Sequence, residues 1–360
     1  MDTIIDPRLY GSVRGCLRAQ AARDEQSIRR LPGNLDEDGW LYGLVSPYAL
    51  DLFKIQQSKA LRRLKDKTQV LYLPQNAHVR DRLVHSLEVS ALAAGIAEIL
   101  GLHADLCRAA GLWHDTGHTP FGHRGEAFLA RITGKPFRHE VMSVVLAQQV
   151  ERSGAGLNLC RATLSAVRHH SRGKKELKTV PLAEDNVVMF ADKIAYAIAD
   201  FNDLFHRREF TGSPLRLEDF PELAREMAAL GANGRDRVTA CVSALCVESA
   251  EVGSVSFSRS ETAQRFERIK TLMYDVYARV HEKETDDTPL ERVYEALARL
   301  EPDFHPAFLF ALLNDEDFAR LAARPSVTAE DLRRLSISEV VEKLREAGVR
   351  PDPFRADLAW

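Results

Sequence analysis

The chain has 360 residues, 45% hydrophobic and 28% charged, which is enough to bury a sizeable core in one or two domains. Its formal net charge of -3 gives no strong attraction to nucleic acid or to a membrane surface. No apolar run reaches the roughly 18 residues of a membrane span, and the first residues lack a signal-peptide pattern. Five scattered cysteines without a Cys-x-x-Cys pair are typical of reduced thiols, so we expect a cytoplasmic protein.

The spacing of apolar residues predicts an all-α protein, because no alternating strand pattern extends over more than a few residues. Residues 1–45 are polar and interrupted by proline and glycine, so we expect an N-terminal extension with turns. Residues 46–210 predict helices joined by histidine-rich loops. We therefore expect the chemistry of the protein to lie in this second region.

The helix around His85 is predicted to point this histidine toward the interior. At about 100° per residue, His85 shares a face with Val89, Leu92, Ile96 and Ile99. A lone histidine on an apolar face is usually a hydrogen-bonded core residue. The alternative is that His85 is a metal ligand.

Residues 111–126 contain the highest concentration of potential metal-binding and acid–base side chains in the chain. Three histidines and two carboxylates fall within thirteen positions, namely His114, Asp115, His118, His123 and Glu126. A helix is predicted to end at His114, since Gly117 supplies a stop, and only near a helix end can adjacent side chains share one ion. Such a turn-rich set of metal-ligand and acid–base groups indicates a hydrolytic metal site.

The segment from Arg168 to Lys175 is basic and reads RHHSRGKK. We interpret it as a solvated loop. The alternative is a site for a polyphosphate or for a regulatory nucleotide.

The helix predicted from Val187 to Phe205 has an apolar face and an acidic face. Its acidic face, about 80° wide, gathers Asp192, Tyr196, Asp200 and Asp203. An acidic stripe is usually a solvated surface, but Asp192 would complete a set of ligands with His85, His114 and Asp115. A ligand set of two imidazoles and two carboxylates that leaves coordination positions open for water suits Mn, Fe, Co, Ni, Zn or Mg equally.

Residues 211–360 are predicted to form a second helical lobe. The sequence suggests capping boxes at Thr328-x-x-Asp331 and at Ser336-x-x-Glu339, and a helix end at Gly348.

Several stretches between residues 46 and 210 match one known family. The most specific is HDTGHTPFGHRGE at 114–126, accompanied by RRLKDKTQV at 62–70, RDRLVHSLEV at 80–89 and ADKIAY at 191–196. These stretches resemble the HD-domain metal-dependent phosphohydrolases, and among them the deoxyguanosine triphosphate triphosphohydrolases and their dNTPase relatives. The resemblance implies a helical HD core at 46–210, followed by the associated C-terminal region at 211–360.

The resemblance also implies a reaction and a cofactor. These enzymes hydrolyse a dNTP to the deoxynucleoside and tripolyphosphate, with water attacking the α-phosphorus. It implies one divalent metal ion, held by His85, His114, Asp115 and Asp192.

Further roles follow from the resemblance. His123 is implied to be the general acid, with Glu126 as its orienting partner, although Glu126 as a plain surface residue of a helical first turn is the alternative. His118 and His139 match positions that stabilise phosphate charge. The full set of implied catalytic residues is His118, His123 and Glu126.

The resemblance implies that five residues bind the substrate, namely Arg82, His139, Lys193, Tyr196 and Asp200. Arg82 and Lys193 are implied to bind the triphosphate, although Lys193 as a surface lysine is the alternative. Tyr196 and Asp200 are implied to meet the sugar. A tyrosine ring against C2′ would leave no room for a 2′-hydroxyl, and Asp200 would accept a hydrogen bond from the 3′-hydroxyl.

The expected partners are a dNTP substrate, an activating nucleotide and further copies of the chain, since family members are typically oligomers. The near-neutral charge gives no support for a nucleic-acid regulator. Two alternative functions stay open: an HD-domain 5′-nucleotidase or phosphodiesterase, and a catalytically silent nucleotide sensor.

The chain departs from the family pattern at three places. Asp81 and Val84 stand where threonine is usual, and residues 49–54 replace a run of arginine and aspartate. Asp81 in particular would add negative charge near a polyphosphate pocket.

Overall fold

The computed structural model describes residues 10–31, 44–72, 78–171, 180–206, 215–281 and 286–360. In these ranges the chain forms 17 α-helices and no β-strand. The only β-type pairings within the same ranges are two isolated bridges, Arg29–Cys160 and Thr68–Asp81. The prediction of an all-α fold is confirmed.

The helices are numbered here in chain order. They are α1 (Tyr10–Val13), α2 (Pro47–Gln56), α3 (Lys59–Arg63), α4 (Arg82–Leu100), α5 (Ala104–Trp113), α6 (His123–Thr133), α7 (His139–Val145), α8 (Arg161–His169), α9 (Ala183–Phe201), α10 (Pro221–Leu230), α11 (Gly234–Val252), α12 (Glu261–His281), α13 (Thr288–Leu300), α14 (Pro306–Leu312), α15 (Asp315–Ala322), α16 (Ala329–Arg333) and α17 (Ser338–Glu346).

Helix α4 is the centre of the first lobe and packs most extensively on α5 and α9. It begins at Arg82 because Asp81 caps it, with Oδ1 accepting the backbone N–H of Val84 at 2.9 Å. It ends at Gly101, whose φ of +78° few other residues adopt without strain. Although the sequence has no unbroken apolar run of membrane-spanning length, helix α4 is long and apolar enough to cross a membrane by length and composition alone, and half of that stretch is buried.

Helix α5 approaches α4 closely at Gly111. A Cβ added to Gly111 would lie 2.9 Å from Cα of Ser90, so only glycine lets the two backbones come this near. The close packing brings the C-terminal end of α5 beside the first turns of α4. The two segments predicted to carry metal ligands therefore meet.

Part of the predicted N-terminal extension is integrated into the core. Val13 and Leu17 are buried, and the backbone N–H of Leu17 donates to the carbonyl of Leu100 at 2.9 Å. Short 3₁₀ turns occur at Arg18–Gln20 and Asp24–Gln26. The proline and glycine signals on which the turn prediction rested fall at residues 32–39. Residues 32–43 lie outside the described ranges.

The second lobe packs against the first and supports its histidine-rich loop. Helices α11 and α12 both contact α9. The carboxylate of Asp315, in α15, accepts the backbone N–H groups of Thr68 at 2.7 Å and Phe121 at 3.1 Å. The buried ammonium of Lys67 donates to the carbonyls of Ala311 and His118. The loop after α5 is thus held by the C-terminal half of the chain.

The two predicted capping boxes have different outcomes. Thr328 and Asp331 form the reciprocal bonds of a capping box at the start of α16. The second prediction is wrong, because α17 begins at Ser338 without a side-chain cap. Ser336 donates instead to the buried carboxylate of Asp317, so a tertiary contact takes the hydroxyl that a cap would have used.

Candidate metal centre and substrate pocket

His85 lies on the buried face of α4, one turn after the start of the helix. Its side chain is 1% exposed, and its Nε2 lies 3.0 Å from Oδ1 of Asp192 on α9. The apolar stripe that pointed His85 inward therefore places it against a carboxylate. Asp192 belongs to the acidic face of α9, and three residues of that face, Asp192, Tyr196 and Asp200, line a cavity.

His114 follows the last residue of α5 and is fully buried. Its Nδ1 donates to the carbonyl of Gly111 at 2.7 Å, which leaves the lone pair on Nε2. That Nε2 lies 3.3 Å from Oδ1 of Asp115 and 3.6 Å from Oδ1 of Asp192. The end of the helix lets His114 and Asp115 point to one place, as the sequence predicted.

The donor atoms of His85, His114, Asp115 and Asp192 fit a divalent metal ion. The buried Nε2 of His114 has no hydrogen-bond partner among the residues that the structure describes. The histidine-to-carboxylate distances in the set run from 3.0 to 3.9 Å. Ligands about 2.1 Å from one ion would lie about 3.0 to 3.4 Å apart, so small adjustments would let these four share it.

The two carboxylates of this set are anionic. Burial raises the pKa of Asp115, but His114, His118 and Arg82 outweigh it and hold that pKa well below the usual range. Burial opposes ionisation of Asp192 too, but the neighbouring imidazoles of His114 and His85 outweigh it and hold the pKa of Asp192 well below its usual range. Two anionic oxygens beside two imidazoles make a donor set for a hard or borderline cation.

Glu126 organises a second cluster beside the metal-ligand set. Its Oε2 lies 2.9 Å from Nδ1 of His123, and its Oε1 accepts from Nδ1 of His139 at 2.6 Å and from the backbone N–H of the same residue at 2.8 Å. The ring of His118 stacks on that of His139, with centroids 3.7 Å apart. His118 Nε2 reaches Asp115 Oδ1 at 3.3 Å, which joins the two clusters.

The two stacked imidazoles differ in charge: the ring of His118 is neutral, and the ring of His139 is positively charged. Burial, with the positive charges of Arg82 and His139, lowers the pKa of His118 well below its ordinary value, so this ring is neutral. Burial also disfavours a charge on His139, but Glu126 outweighs it and raises the pKa of His139 to about 9. His139 is therefore the positively charged member of the stacked pair, and its charge is paired with the carboxylate of Glu126.

His170 is a site residue that the sequence interpretation missed. The solvated-loop interpretation of 168–175 is wrong for His170, which is 1% exposed, and residues 172–175 lie outside the described ranges. Its Nδ1 donates to the carbonyl of Val167 at 2.7 Å, so its Nε2 accepts from Nε2 of His139 at 3.0 Å. Its position three residues after the buried Val167 was the signal that could have identified it.

Arg82 is already engaged within the centre. Its Nη1 lies 2.6 Å from Oδ2 of Asp115, and its side chain is 4% exposed. Gly122, with a φ of +54°, passes so close that an added Cβ would collide with the Arg82 guanidinium. Arg82 therefore orients a metal-ligand carboxylate while it lines the cavity.

A cavity of about 590 Å³ joins the two clusters to a tyrosine-lined wall. This is a usual size for a pocket that binds a small molecule. Lys193, Tyr196 and Asp200 of α9 line it, as do Tyr274 and Tyr277 of α12. The sequence indicated the first three only, because the expectation for residues 211–360 was a helical region without named site residues.

Asp81 does not contribute to the cavity wall. Its carboxylate is used as the N-cap of α4, where threonine would do the same work. The departure at this position therefore preserves the cap and does not place a charge against the cavity.

Comparison with known proteins identifies the family of this chain. A family model described as the HD domain matches residues 82–197, the part of the chain that carries all four metal-ligand candidates. A deoxyguanosinetriphosphate triphosphohydrolase-like protein of Caldanaerobacter subterraneus subsp. tengcongensis is 36% identical over 247 residues, which is 69% of each chain. The chain belongs to this HD-domain family.

Other members of the family show similar agreement. A protein of the same description from Clostridium perfringens is 35% identical over 232 residues, covering 63% of this chain and 66% of that protein. One from Corynebacterium diphtheriae is 36% identical over 222 residues, or 52% of each. HD-domain proteins of this kind are metal-dependent hydrolases, and the His/Asp cluster is the place where such a metal fits.

Proposed function

We propose that the protein is a metal-dependent dNTP triphosphohydrolase that releases a deoxynucleoside and tripolyphosphate. One observation carries the proposal. Three of the four metal-ligand candidates, His85, Asp115 and Asp192, line a cavity that also carries a histidine cluster and three tyrosines, and the fourth, His114, lies next to Asp115. The dGTP-related descriptions of the relatives agree with a nucleoside triphosphate as the substrate.

The bound metal is proposed to be held by His85, His114, Asp115 and Asp192. A divalent ion there would supply Lewis acidity to a phosphoryl oxygen. Arg82 holds Asp115 through its ion pair, so it keeps one ligand in place and neutralises part of the negative charge of the site. No choice among Mn, Fe, Co, Ni, Zn and Mg follows from the donor set.

The histidine cluster is proposed to act on the phosphates and the leaving group. The cationic His139 would offset negative charge that develops on the phosphates, and the neutral His118 would donate a hydrogen bond. Water adds to the α-phosphorus and loses one proton to solvent, the bond to the 5′ oxygen breaks, and that oxygen needs a proton. His123 would supply the proton, because Glu126 binds its Nδ1 and leaves Nε2 to donate.

The opposite wall is proposed to bind the nucleoside. Tyr196 would pack against C2′ of the sugar, Asp200 would accept from the 3′-hydroxyl, and Lys193 would pair with the triphosphate. All three line the same cavity as three of the metal-ligand candidates. We further propose that the chain forms a homo-oligomer in the cytoplasm and that a second nucleotide regulates it.

A product analysis tests this proposal. The purified protein would be incubated with each dNTP and NTP, singly and mixed, in Mn²⁺ or Mg²⁺, and the products separated by ion-exchange chromatography. Deoxynucleoside with tripolyphosphate is the expected result, and faster turnover in mixtures would reveal an activator. Orthophosphate from monophosphates alone would favour a nucleotidase, and tight binding without products would favour a sensor.

A further inference from the structure

Arg80 is a buried cation that the proposed mechanism does not use. It lies just before the cap of α4, and its side chain is 6% exposed. Its guanidinium makes three ion pairs: Nε with Oδ2 of Asp203 at 2.9 Å, Nη1 with Oε2 of Glu88 at 2.8 Å, and Nη2 with Oδ1 of Asp200 at 2.5 Å. A planar guanidinium can bridge three carboxylates in this way, whereas an ammonium is a single point of charge.

Of these carboxylates, only that of Asp200 lines the cavity. Its second oxygen, Oδ2, accepts the phenolic hydrogen of Tyr277 at 2.8 Å. Asp200 is therefore fixed from two sides, by Arg80 next to α4 and by Tyr277 on α12. Arg80 itself does not line the cavity, so any effect on a ligand must pass through Asp200.

The contacts of Asp200 with Arg80 and Tyr277 connect α12 with α9 and with the segment before α4, at the cavity wall that is proposed to bind the nucleoside. Tyr196 precedes Asp200 by one turn of α9, and Tyr274 precedes Tyr277 by one turn of α12. A shift of α12 against α9 would change the width of the wall where all four residues line the cavity. The Arg80–Asp200–Tyr277 chain of contacts opposes such a shift, because each link is a buried, charge-assisted bond.

We infer that Arg80 is a positioning residue for sugar recognition: by holding Asp200 against Tyr277, it sets a wall that accepts deoxyribose and excludes ribose. The inference rests on the proposed function, since it takes a nucleotide sugar as the ligand of this wall. It also separates two properties of the site. Metal binding and bond cleavage depend on the metal-ligand candidates and the histidine cluster, and sugar discrimination depends on Arg80.

The test compares Arg80→Lys with Glu88→Gln in the full chain. Lysine keeps a positive charge but cannot bridge the carboxylates, while Glu88→Gln removes the most exposed partner, 42% exposed, and leaves the Asp200 pair intact. Values of kcat and KM would be measured in Mn²⁺ for each dNTP and its matching NTP. If the wild type turns over neither, equilibrium binding of the same nucleotides gives the ratio instead.

Arg80→Lys should lower the preference for dNTP over NTP about tenfold, mainly through KM, with unchanged metal content. Glu88→Gln should leave the preference within about twofold of wild type. Tyr277→Phe, which removes the other bond to Asp200, should shift the preference in the same direction as Arg80→Lys. It provides a second route if the lysine variant does not fold.

Two results would overturn the inference while leaving the triphosphohydrolase proposal intact. One is an unchanged dNTP-to-NTP preference in folded Arg80→Lys and in Tyr277→Phe. The other is an equal loss for both sugars through kcat, which a general structural role would produce. A wild type that binds dNTP without cleaving it would refute the proposed function, and the binding ratio would still decide the role of Arg80. A wild type that binds neither nucleotide would overturn both.

Discussion

The carboxylate of Glu126 serves two imidazoles at once, through Oε2 to His123 and through Oε1 to His139. His123 is 76% exposed at the cavity mouth, whereas His139 is buried and stacked on His118. One acid therefore orients both the exposed donor and the buried cation. At the scale of single residues, Glu126 ties the histidine cluster together, and His118 connects that cluster to the candidate ligand Asp115.

His123→Ala should keep the metal and lose most of the turnover. Removing a positioned general acid typically costs about 10²- to 10⁴-fold in rate, and the exposed side chain carries no packing that the fold needs. Metal content would be measured by elemental analysis and turnover by tripolyphosphate release. Wild-type rates across the pH range would show that His123 does not donate the proton.

His170→Asn should lower turnover about tenfold without loss of metal, as is typical when a partner that orients a functional group is removed. The shorter asparagine cannot accept from Nε2 of His139, so that ring would lose one of its two anchors. His169→Asn is the matched control, because Nδ1 of His169 lies near Ser165 and Asp185, away from the cavity. Loss of metal in His170→Asn alone would make His170 a ligand instead.

At the scale of helices, the α4–α5 contact determines where the ligands meet. The end of α5 supplies His114 and Asp115, and the first turns of α4 supply His85. Periodicity along the sequence predicted that His85 points inward, and the helix end supplied by Gly117 predicted that His114 and Asp115 point to one place. The distance between the helices depends on Gly111, a tertiary contact that periodicity does not reveal.

Gly111→Ala should destabilise the protein by about 1–3 kcal/mol, because the new methyl group would meet the α4 backbone at Ser90. Gly95→Ala is the matched control on α4, where an added Cβ meets no atom within 4 Å. Replacing a helical glycine at such a site should stabilise by about 0.5–1 kcal/mol. Urea-induced unfolding would measure the free energy of unfolding of both variants. Equal stabilities would mean that α4 and α5 can separate without cost.

At the scale of the whole molecule, the C-terminal lobe completes the site. It supplies Tyr274 and Tyr277 to the cavity and Asp315 to the backbone of the histidine loop. The sequence predicted this lobe as helical but could not assign these contacts, since they join residues more than 70 positions apart. His170 was missed for a related reason, because its partner His139 lies 31 residues away.

Asp315→Asn should lower stability by about 1–3 kcal/mol and should lower turnover as well. An amide offers only one oxygen where the carboxylate accepts from the backbone of both Thr68 and Phe121. The neighbouring Glu316→Gln changes an exposed pair with Arg320 and should be nearly neutral. Thermal unfolding and turnover are the measurements. Reduced stability with normal turnover would show that the support of the loop is structural only.

The most direct test of the account is metal content and tripolyphosphate release in Asp192→Ala, beside Asp105→Asn as a half-buried acidic control on α5 that does not line the cavity. The account predicts that Asp192→Ala stays folded, binds less than about a tenth of the wild-type metal and loses activity, while Asp105→Asn matches wild type. Chelation of the wild type should abolish release, and added Mn²⁺ should restore it. Full metal occupancy with normal turnover in Asp192→Ala would contradict the proposed metal centre.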